Sequence, residues 1–337
     1  MSTIKDVARI AGVSIATVSR VVNKGPKVGE KTRNRVLKIM QEIGYMPNAN
    51  ARALVTQKNT TIGVVIPDLT DPFFASLAHG VDKIAREKNM QVLLSTGLIS
   101  ESSERQAINL LLERRCDAVV IHSKKLSDDE LVELSKRVPG LILIDRFIER
   151  IKHRCVWLDN AEGGKLAARH LLAMAHNSFA SITSQYEIDD PLLRLQGFKD
   201  GILDAGFTLE NKLIAKQEPT LQGGEIAAQE LLSQNIPFSA LFVYNDAMAI
   251  GAISTFEDNG FRVPQDISVI GFDDVLLSRY SRPKLTTLNY PIEDMAANAA
   301  LLALEYRESP EQYSAPEGLK YLPSLVTRES TIRNKSR

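Results

Sequence analysis

Arg20 follows Thr17 by three residues and Ser19 by one in the run SIATVSRVVN, and at a 3.6-residue period Ala16 or Thr17, Ser19 and Arg20 share one helix face. A guanidinium there can take O6 and N7 of a guanine together. Thr17 and Ser19 can bond bases or phosphates, and Ile15 and Ala16 offer apolar contact to thymine methyls. Ser14 and Asn23 bound the same helix and complete this set of DNA-contact candidates. Thr32 and Arg33, with Arg35, open a later helix and are candidate phosphate contacts, which set register without reading sequence. A second constellation is dispersed. Asp68, His122, Asp145, Asn245 and Asp273 each end or follow a β-branched run, with Phe73, Phe74 and Phe147 close by. Each polar member also reads as a helix N-cap. Together they outline a polar cleft with a flat apolar wall, which suits a sugar: hydroxyls donate and accept while a ring face packs on an aromatic.

The elements that must position these residues are legible. Thr3 and Asp6 have capping-box spacing, with Val7, Ala8 and Ala11 on one face of a short helix that Gly12 ends. Ser14 caps a second helix, whose Val18, Val21 and Val22 turn inward. A third helix, about Glu30 to Ile43, closes a three-helix core with Val36, Leu37, Ile39, Met40 and Ile43. A helix, a tight turn and a second helix suit the major groove, which admits one helix. From Thr61 onward short strands alternate with amphipathic helices, the pattern of parallel sheets covered on both faces. IGVVI, QVLLS, AVVIH, LILID and CVWLD form one set; FASIT, LIAKQ, ALFVY and ISVIG form another. LTTLNY near 285, a helix from about Ile292 to Arg307 and a strand near Leu325 follow. Open sheets of this kind bind ligands at the carboxyl ends of their strands, where the second constellation falls.

The runs DVARIAGVSIATVSRVVN and TRNRVLKIMQEIGYMPNANARAL resemble the N-terminus of the lactose/galactose repressor family of bacterial transcription factors. IHSKKLSDDEL, RCVWLDN, FVYNDAMAIGA and SVIGFDD continue the resemblance over nearly the whole chain, most strongly to the galactose repressor type. It implies an α/β protein with a helix-turn-helix headpiece at 1–46, a hinge at 47–59 and a bilobed core at 60–337 like that of periplasmic binding proteins. The N-subdomain then takes about 60–158 and 291–320, the C-subdomain about 159–290 and 321–330, with crossings near Leu158, Tyr290 and Tyr321.

Residue by residue, the resemblance matches the family's pocket aspartate to Asp145, the arginine of its RLxGF segment to Arg194, the asparagine of its ND pair to Asn245 and the aspartate of GFDD to Asp273. His122 falls where some members have a pocket asparagine. The aromatic that several sugar-binding members carry is replaced by the region around Pro219 and Thr220, and Gly29 stands where a serine commonly caps the third helix. In the hinge, PNANARALVTQK is too short and alanine-rich to hold a helix alone in water. The family's hinge becomes helical on operator DNA, and a leucine wedges into the minor groove. Leu54 matches that leucine, Ala53 sits beside it, and Asn48 and Arg52 reach backbone or groove edge. The implied protein is a repressor on a pseudopalindromic operator, regulated by a small effector, a hexose such as galactose; a nucleobase or another sugar derivative, and corepressor-dependent or dual regulation, stay open.

Charge agrees with this division. Net charge is zero over 337 residues, yet residues 1–58 hold 11 Lys or Arg against 3 Asp or Glu, and the remainder 30 against 38. A cation excess on the segment that carries the helix pair is the footprint of a DNA binder. No GxGxxG, GxxxxGK[ST] or GxSxG occurs, and the five histidines show no HExxH spacing, so an enzyme with a nucleotide cofactor or metal is disfavoured. Cys116 and Cys155 read as buried thiols. With no signal peptide and no membrane span, the expected compartment is the cytoplasm. Reading both half-sites requires two headpieces, and TIRNKSR at the C-terminus lacks leucine heptads, so a homodimer is expected. Its interface is placed on the faces near Phe74 to Ala85 and Ile292 to Leu304.

Overall fold

Thr3 and Asp6 cap each other, the Asp6 carboxylate accepting the Thr3 amide at 2.9 Å, so the computed structural model starts α1 (Ile4–Ala11) where the spacing predicts. It describes residues 2–23, 25–46, 60–116, 118–309 and 318–335, in two compact units, Met1–Thr60 and Thr61–Arg337. Gly12, at φ +62°, ends α1, and the Ser14 hydroxyl accepts the Thr17 amide at 3.1 Å to start α2 (Ile15–Val22). The third helix, α3 (Glu30–Glu42), begins at Gly29 with no side-chain cap. Val7, Ala8, Ala11, Val18, Val21, Val36, Ile39 and Met40 are buried together. Leu37 departs from expectation. Val36, Ile39 and Met40 at i, i+3 and i+4 fill the inward stripe, so Leu37 turns out and is 45% exposed. The hinge expectation, with Asn48, Arg52, Ala53 and Leu54, lies outside the described residues.

The second unit holds two six-stranded sheets. The first runs β11-β5-β4-β3-β1-β2, with β1 (Thr61–Ile66), β2 (Gln91–Thr96), β3 (Ala118–Ile121), β4 (Gly140–Ile144), β5 (Cys155–Leu158) and β11 (Leu319–Tyr321), all parallel. The second runs β12-β10-β9-β8-β6-β7, with β6 (Phe179–Ser184), β7 (Ile214–Gln217), β8 (Ala240–Val243), β9 (Ser268–Asp273), β10 (Thr286–Asn289) and β12 (Ser324–Val326); only β12 is antiparallel. Strands covered on both faces read as unbroken apolar runs, as Ile62–Ile66 and Leu141–Ile144 do. The short edge strand β11 escapes the sequence because Leu319 and Lys320 are exposed and no apolar run marks it. The chain passes between sheets three times: after Leu158, between Asn289 and Ile292, and between Tyr321 and Ser324.

The two helices expected at a dimer interface, Pro72–Glu87 and Ile292–Glu308, pack on each other through one face, while Ala75, His79 and Lys83 of the first and Glu293 and Asp294 of the second stay exposed. A Cβ at Gly80 would lie 2.2 Å from the Glu293 carbonyl oxygen, so the backbones touch there. Leu77, Val81 and Ile84 and, opposite them, Met295, Ala296 and Ala299 are consequently buried inside the lobe. Cys116 and Cys155 are both buried.

Candidate functional site

On the headpiece, Ile15 is 46% exposed, and Ser14, Ala16, Arg20 and Asn23 are exposed with it. Thr17 and Ser19 are half-buried on the same helix. Among the described residues the Arg20 guanidinium has no hydrogen-bond or ion-pair partner, so it is available to a base edge. Five other candidates already have local duties. The Ser14 and Thr17 hydroxyls bond each other at 2.9 Å, and Asn23 donates to Ser19 Oγ at 3.3 Å. Arg33 donates one N–H to the Gly25 carbonyl at 3.0 Å, pinning the loop before α3 and leaving its other donors for phosphate. Thr32 is half-buried beside it.

In the core, the helices Asn160–Ala173 and Asp189–Leu203 press together so closely that a Cβ at Gly197 would meet the Ala161 carbonyl oxygen at 1.9 Å. That contact sets Arg194 in the cleft between the sheets. Its Nε donates to Asn160 Oδ1 at 2.8 Å, its Nη1 to the Tyr244 carbonyl at 2.7 Å and to Asp273 Oδ1 at 3.3 Å, and the guanidinium lies 3.7 Å from the centroid of Phe272. From the other sheet, Asp145 Oδ2 faces Lys124 Nζ at 2.8 Å and His122 Nε2 at 3.2 Å, while the Tyr290 hydroxyl donates to Oδ1. Lys124 Nζ continues across to Asp190 at 2.7 Å. His122 Nδ1 is buried with no hydrogen-bond partner among the described residues, and its ring meets Phe74 edge-on at 5.1 Å.

Burial works against every one of these charges. It would lift Asp145, but the Lys124 charge and the His122 hydrogen bond outweigh it and hold the carboxyl far below the ordinary range. Burial, with the Asp145 charge, raises Asp190 despite Lys124. Burial, reinforced by Asp246 and Asp71, pushes Asp273 well up against the pull of Arg194.

His122, Asp145, Arg194, Asn245, Asp273, Phe73 and Phe74 line one central cavity of about 60 Å³. It is flanked by cavities of about 340 and 440 Å³, with Asp145 and Asp190 on the wall shared with the first and Asp71 and Phe74 on the wall shared with the second. Two expected members lie elsewhere. Asp68 is exposed and accepts the Thr70 amide at 2.8 Å, because its loop turns it toward the 440 Å³ cavity. Phe147 sits in the 340 Å³ cavity against Trp157, ring centroids 4.8 Å apart, so it cannot share a ring face with Phe74. Asn245 lines the centre, yet it also caps its helix: Oδ1 accepts the Met248 amide at 2.9 Å and Nδ2 donates to the Pro219 carbonyl at 3.1 Å. Lys124, Asn160, Asp190, Tyr244 and Tyr290 were missed. One of them had a signal: Asp190 stands at i−4 from Arg194 on one helix face.

Behind Asn245, the fully buried Asp246 accepts the Thr287 hydroxyl at 2.5 Å and the Val275 amide at 2.9 Å. Burial pushes it up to about 8, against those two donors. A carboxyl that is neutral in the fold and ionised in the unfolded chain contributes stability that is fully present below its unfolded pKa and lost as pH rises through its folded one. Unfolding free energy should therefore fall by about 1 kcal/mol between pH 7 and 8 from this group, and go on falling toward pH 9 as the unfolded chain ionises the Cys155 thiol that burial pushes up to about 11. The buried His170 and His176, which burial holds low, have by then largely finished titrating in both states. Urea titrations at pH 7, 8 and 9 measure this; a rising profile across the first step contradicts it.

The headpiece and the two-lobed cleft define a DNA-binding transcriptional regulator with a sugar-binding domain. Residues 3–48 match the model of bacterial regulatory proteins of the lacI family, and residues 59–316 that of periplasmic binding proteins and the sugar binding domain of the LacI family. The chain belongs to the LacI family. It is 44% identical over 333 residues to the HTH-type transcriptional regulator GalR of Escherichia coli (strain K12), covering 98% of this chain and 96% of that one. With the regulator GalS of Salmonella typhimurium (strain LT2) it shares 42% over 330 residues, again 98% and 96% of the two chains. The lac repressor dimer bound to operator and the anti-inducer ONPF superposes with a TM-score of 0.87 at 25% identity, over 98% and 99% of the chains. Its relatives are named as transcriptional regulators, not enzymes. Among the described residues no helix is long and apolar enough to cross a membrane.

Proposed function

We propose that this protein is a dimeric repressor of a pseudopalindromic operator, released by a hexose, galactose foremost, bound between the two lobes. The observation that carries the ligand class is the central cavity itself. Carboxylates, a guanidinium and an imidazole converge there from both lobes beside aromatic edges, a donor and acceptor set for hydroxyls. Galactose in particular rests on the likeness to the galactose repressor type. The central cavity, about 60 Å³, is well below the roughly 300 Å³ of ordinary ligand pockets, so the lobes must part to admit a ring. A ligand that favours one lobe orientation then shifts operator affinity through residues 47–59 by a coupling of about 1 to 3 kcal/mol. As a regulator of chromosomal promoters it works in the cytoplasm.

Apolar side chains left outside the lobes extend the candidate dimer face beyond those two helices: Leu221, Ile226, Leu276, Leu277 and Tyr280 are 42–72% exposed. A thermal-shift screen of monosaccharides and nucleobases on the whole chain tests the ligand class, since a ligand raises stability as RT ln(1 + [L]/Kd). Operator titration with and without galactose tests the direction. Response to a nucleobase alone refutes the sugar, and tighter operator binding with galactose makes the hexose a corepressor.

In the hinge, Leu54→Ala is expected to reduce both operator affinity and DNA bending while leaving hexose affinity intact, because an apolar wedge between base steps supplies the kink. Mobility of circularly permuted DNA fragments reads the bend. An unchanged bend would reduce residues 47–59 to a tether.

A further inference from the structure

The carboxylate best placed for a ligand is already occupied from within. Lys124 carries three N–H donors and meets three acceptor groups: Asp145 Oδ2 at 2.8 Å, the Asp145 carbonyl, and the Asp190 carboxylate at 2.7 Å. Lys124, Asp145 and Asp190 are all at least nine-tenths buried, and Asp190 belongs to the helix of the opposite lobe. The same ammonium therefore ties the lobes together through the groups a ligand must reach. Lys125 adds a second, exposed tie to the Glu187 carbonyl at 3.3 Å, which solvent weakens.

We propose that Lys124 is a tethered competitor of the effector: in the free protein it bridges Asp145 and Asp190, and a neutral ligand with adjacent hydroxyls binds by displacing it. The inference rests on the sugar reading above and refines it. Two neighbouring hydroxyls can donate to the two carboxylates as the ammonium does, and the lysine head lies in the 340 Å³ cavity beside Asp145 and Asp190, the wall that cavity shares with the central one. Once the ammonium leaves, Asp145, Asp190 and Asp273 face the ligand with Arg194 as the remaining cation of the cluster. A phosphorylated sugar would carry a dianion into a buried cluster of three carboxyls and one guanidinium, at a desolvation cost that an uncharged polyol avoids, so the site selects uncharged polyols.

Lys124→Met keeps the length and removes the charge. If Lys124 competes, its loss destabilises the free, self-bridged state and leaves the liganded one nearly untouched, so apparent galactose affinity rises by about tenfold. Asp190→Asn, made from the other lobe, breaks the same bridge but also removes a carboxylate that accepts from the ligand, so it should gain less than Lys124→Met, and the double variant should bind much as Asp190→Asn alone does. Trp157, the only tryptophan, lines the same 340 Å³ cavity as Lys124, so its emission reports lobe opening. Ligand-free Lys124→Met should differ from wild type in emission and resemble it once galactose is bound. Weaker or unchanged galactose binding in Lys124→Met overturns the proposal, because Lys124 would then be a ligand contact or a bystander. If wild type binds no hexose, the sugar reading fails by itself. The emission arm then decides the bridge: identical ligand-free emission of the two proteins overturns it, and a difference upholds it.

Discussion

Asp273→Asn is expected to give a protein that binds operator as the wild type does and no longer answers to galactose. Asp273 ends β9 at φ +103°, a backbone region that asparagine tolerates better than alanine, so the amide is the cleaner probe. Arg194 keeps Asn160, the Tyr244 carbonyl and the face of Phe272 when the carboxylate is gone, so the fold should hold. The ligand site fares worse. An amide offers one acceptor where the carboxylate offers two, and it turns an NH2 toward either Arg194 or the sugar. Loss of one partner from a buried, hydrogen-bonded charge costs about 2 to 5 kcal/mol, so galactose affinity should drop at least thirtyfold or so. Calorimetry of both proteins against galactose, with and without operator, measures the two affinities together. Normal induction of the variant would remove Asp273 from the site, and an absence of heat from wild type with any hexose would remove the sugar.

Arg20→Ala should weaken binding to the matched operator by roughly 1 to 3 kcal/mol and relax preference at a single base pair. Its guanidinium is exposed and has no hydrogen-bond or ion-pair partner among the described residues, so nothing in the headpiece depends on it for folding. Arg33→Ala provides the contrast. Its bond to the Gly25 carbonyl makes it a loop clamp as well as a phosphate donor, so it should weaken matched and scrambled sites alike. Titration of both sites at two salt concentrations separates these effects. Equal losses on both sites for Arg20→Ala would end its role as a base reader, and a shallow salt dependence would contradict a headpiece that carries a large cation excess.

The local and periodic features of the chain were legible without coordinates. Capping at Thr3, Asp6 and Ser14 and the inward valines of α2 depend on neighbours within four residues. The β-branched runs became strands because a strand covered on both faces must be apolar throughout. Motif resemblance carried the family, and with it the convergence of Asp145, Arg194, Asn245 and Asp273 on one cavity. The limits of pattern showed at Leu37, which is apolar but lies off the buried stripe, and at β11, whose exposed residues leave no apolar run.

What only the tertiary structure decided was which partners each side chain found. The helices Pro72–Glu87 and Ile292–Glu308 each have an apolar face that suits a partner protomer as well as a neighbour in the lobe, and the contact at Gly80 shows that this face is taken within the lobe. Lys124 and Asp190 are 66 residues apart and come from different lobes, so no local spacing could pair them. Phe147 and Phe74 both neighbour the cleft in sequence, yet the loop after β4 turns Phe147 onto Trp157 and into a separate cavity. Helix caps and strand burial follow from interactions a few residues long, which a sequence states directly. Ion pairs and cavity walls between lobes depend on where distant backbone segments come to rest, and that is set by packing of the whole core.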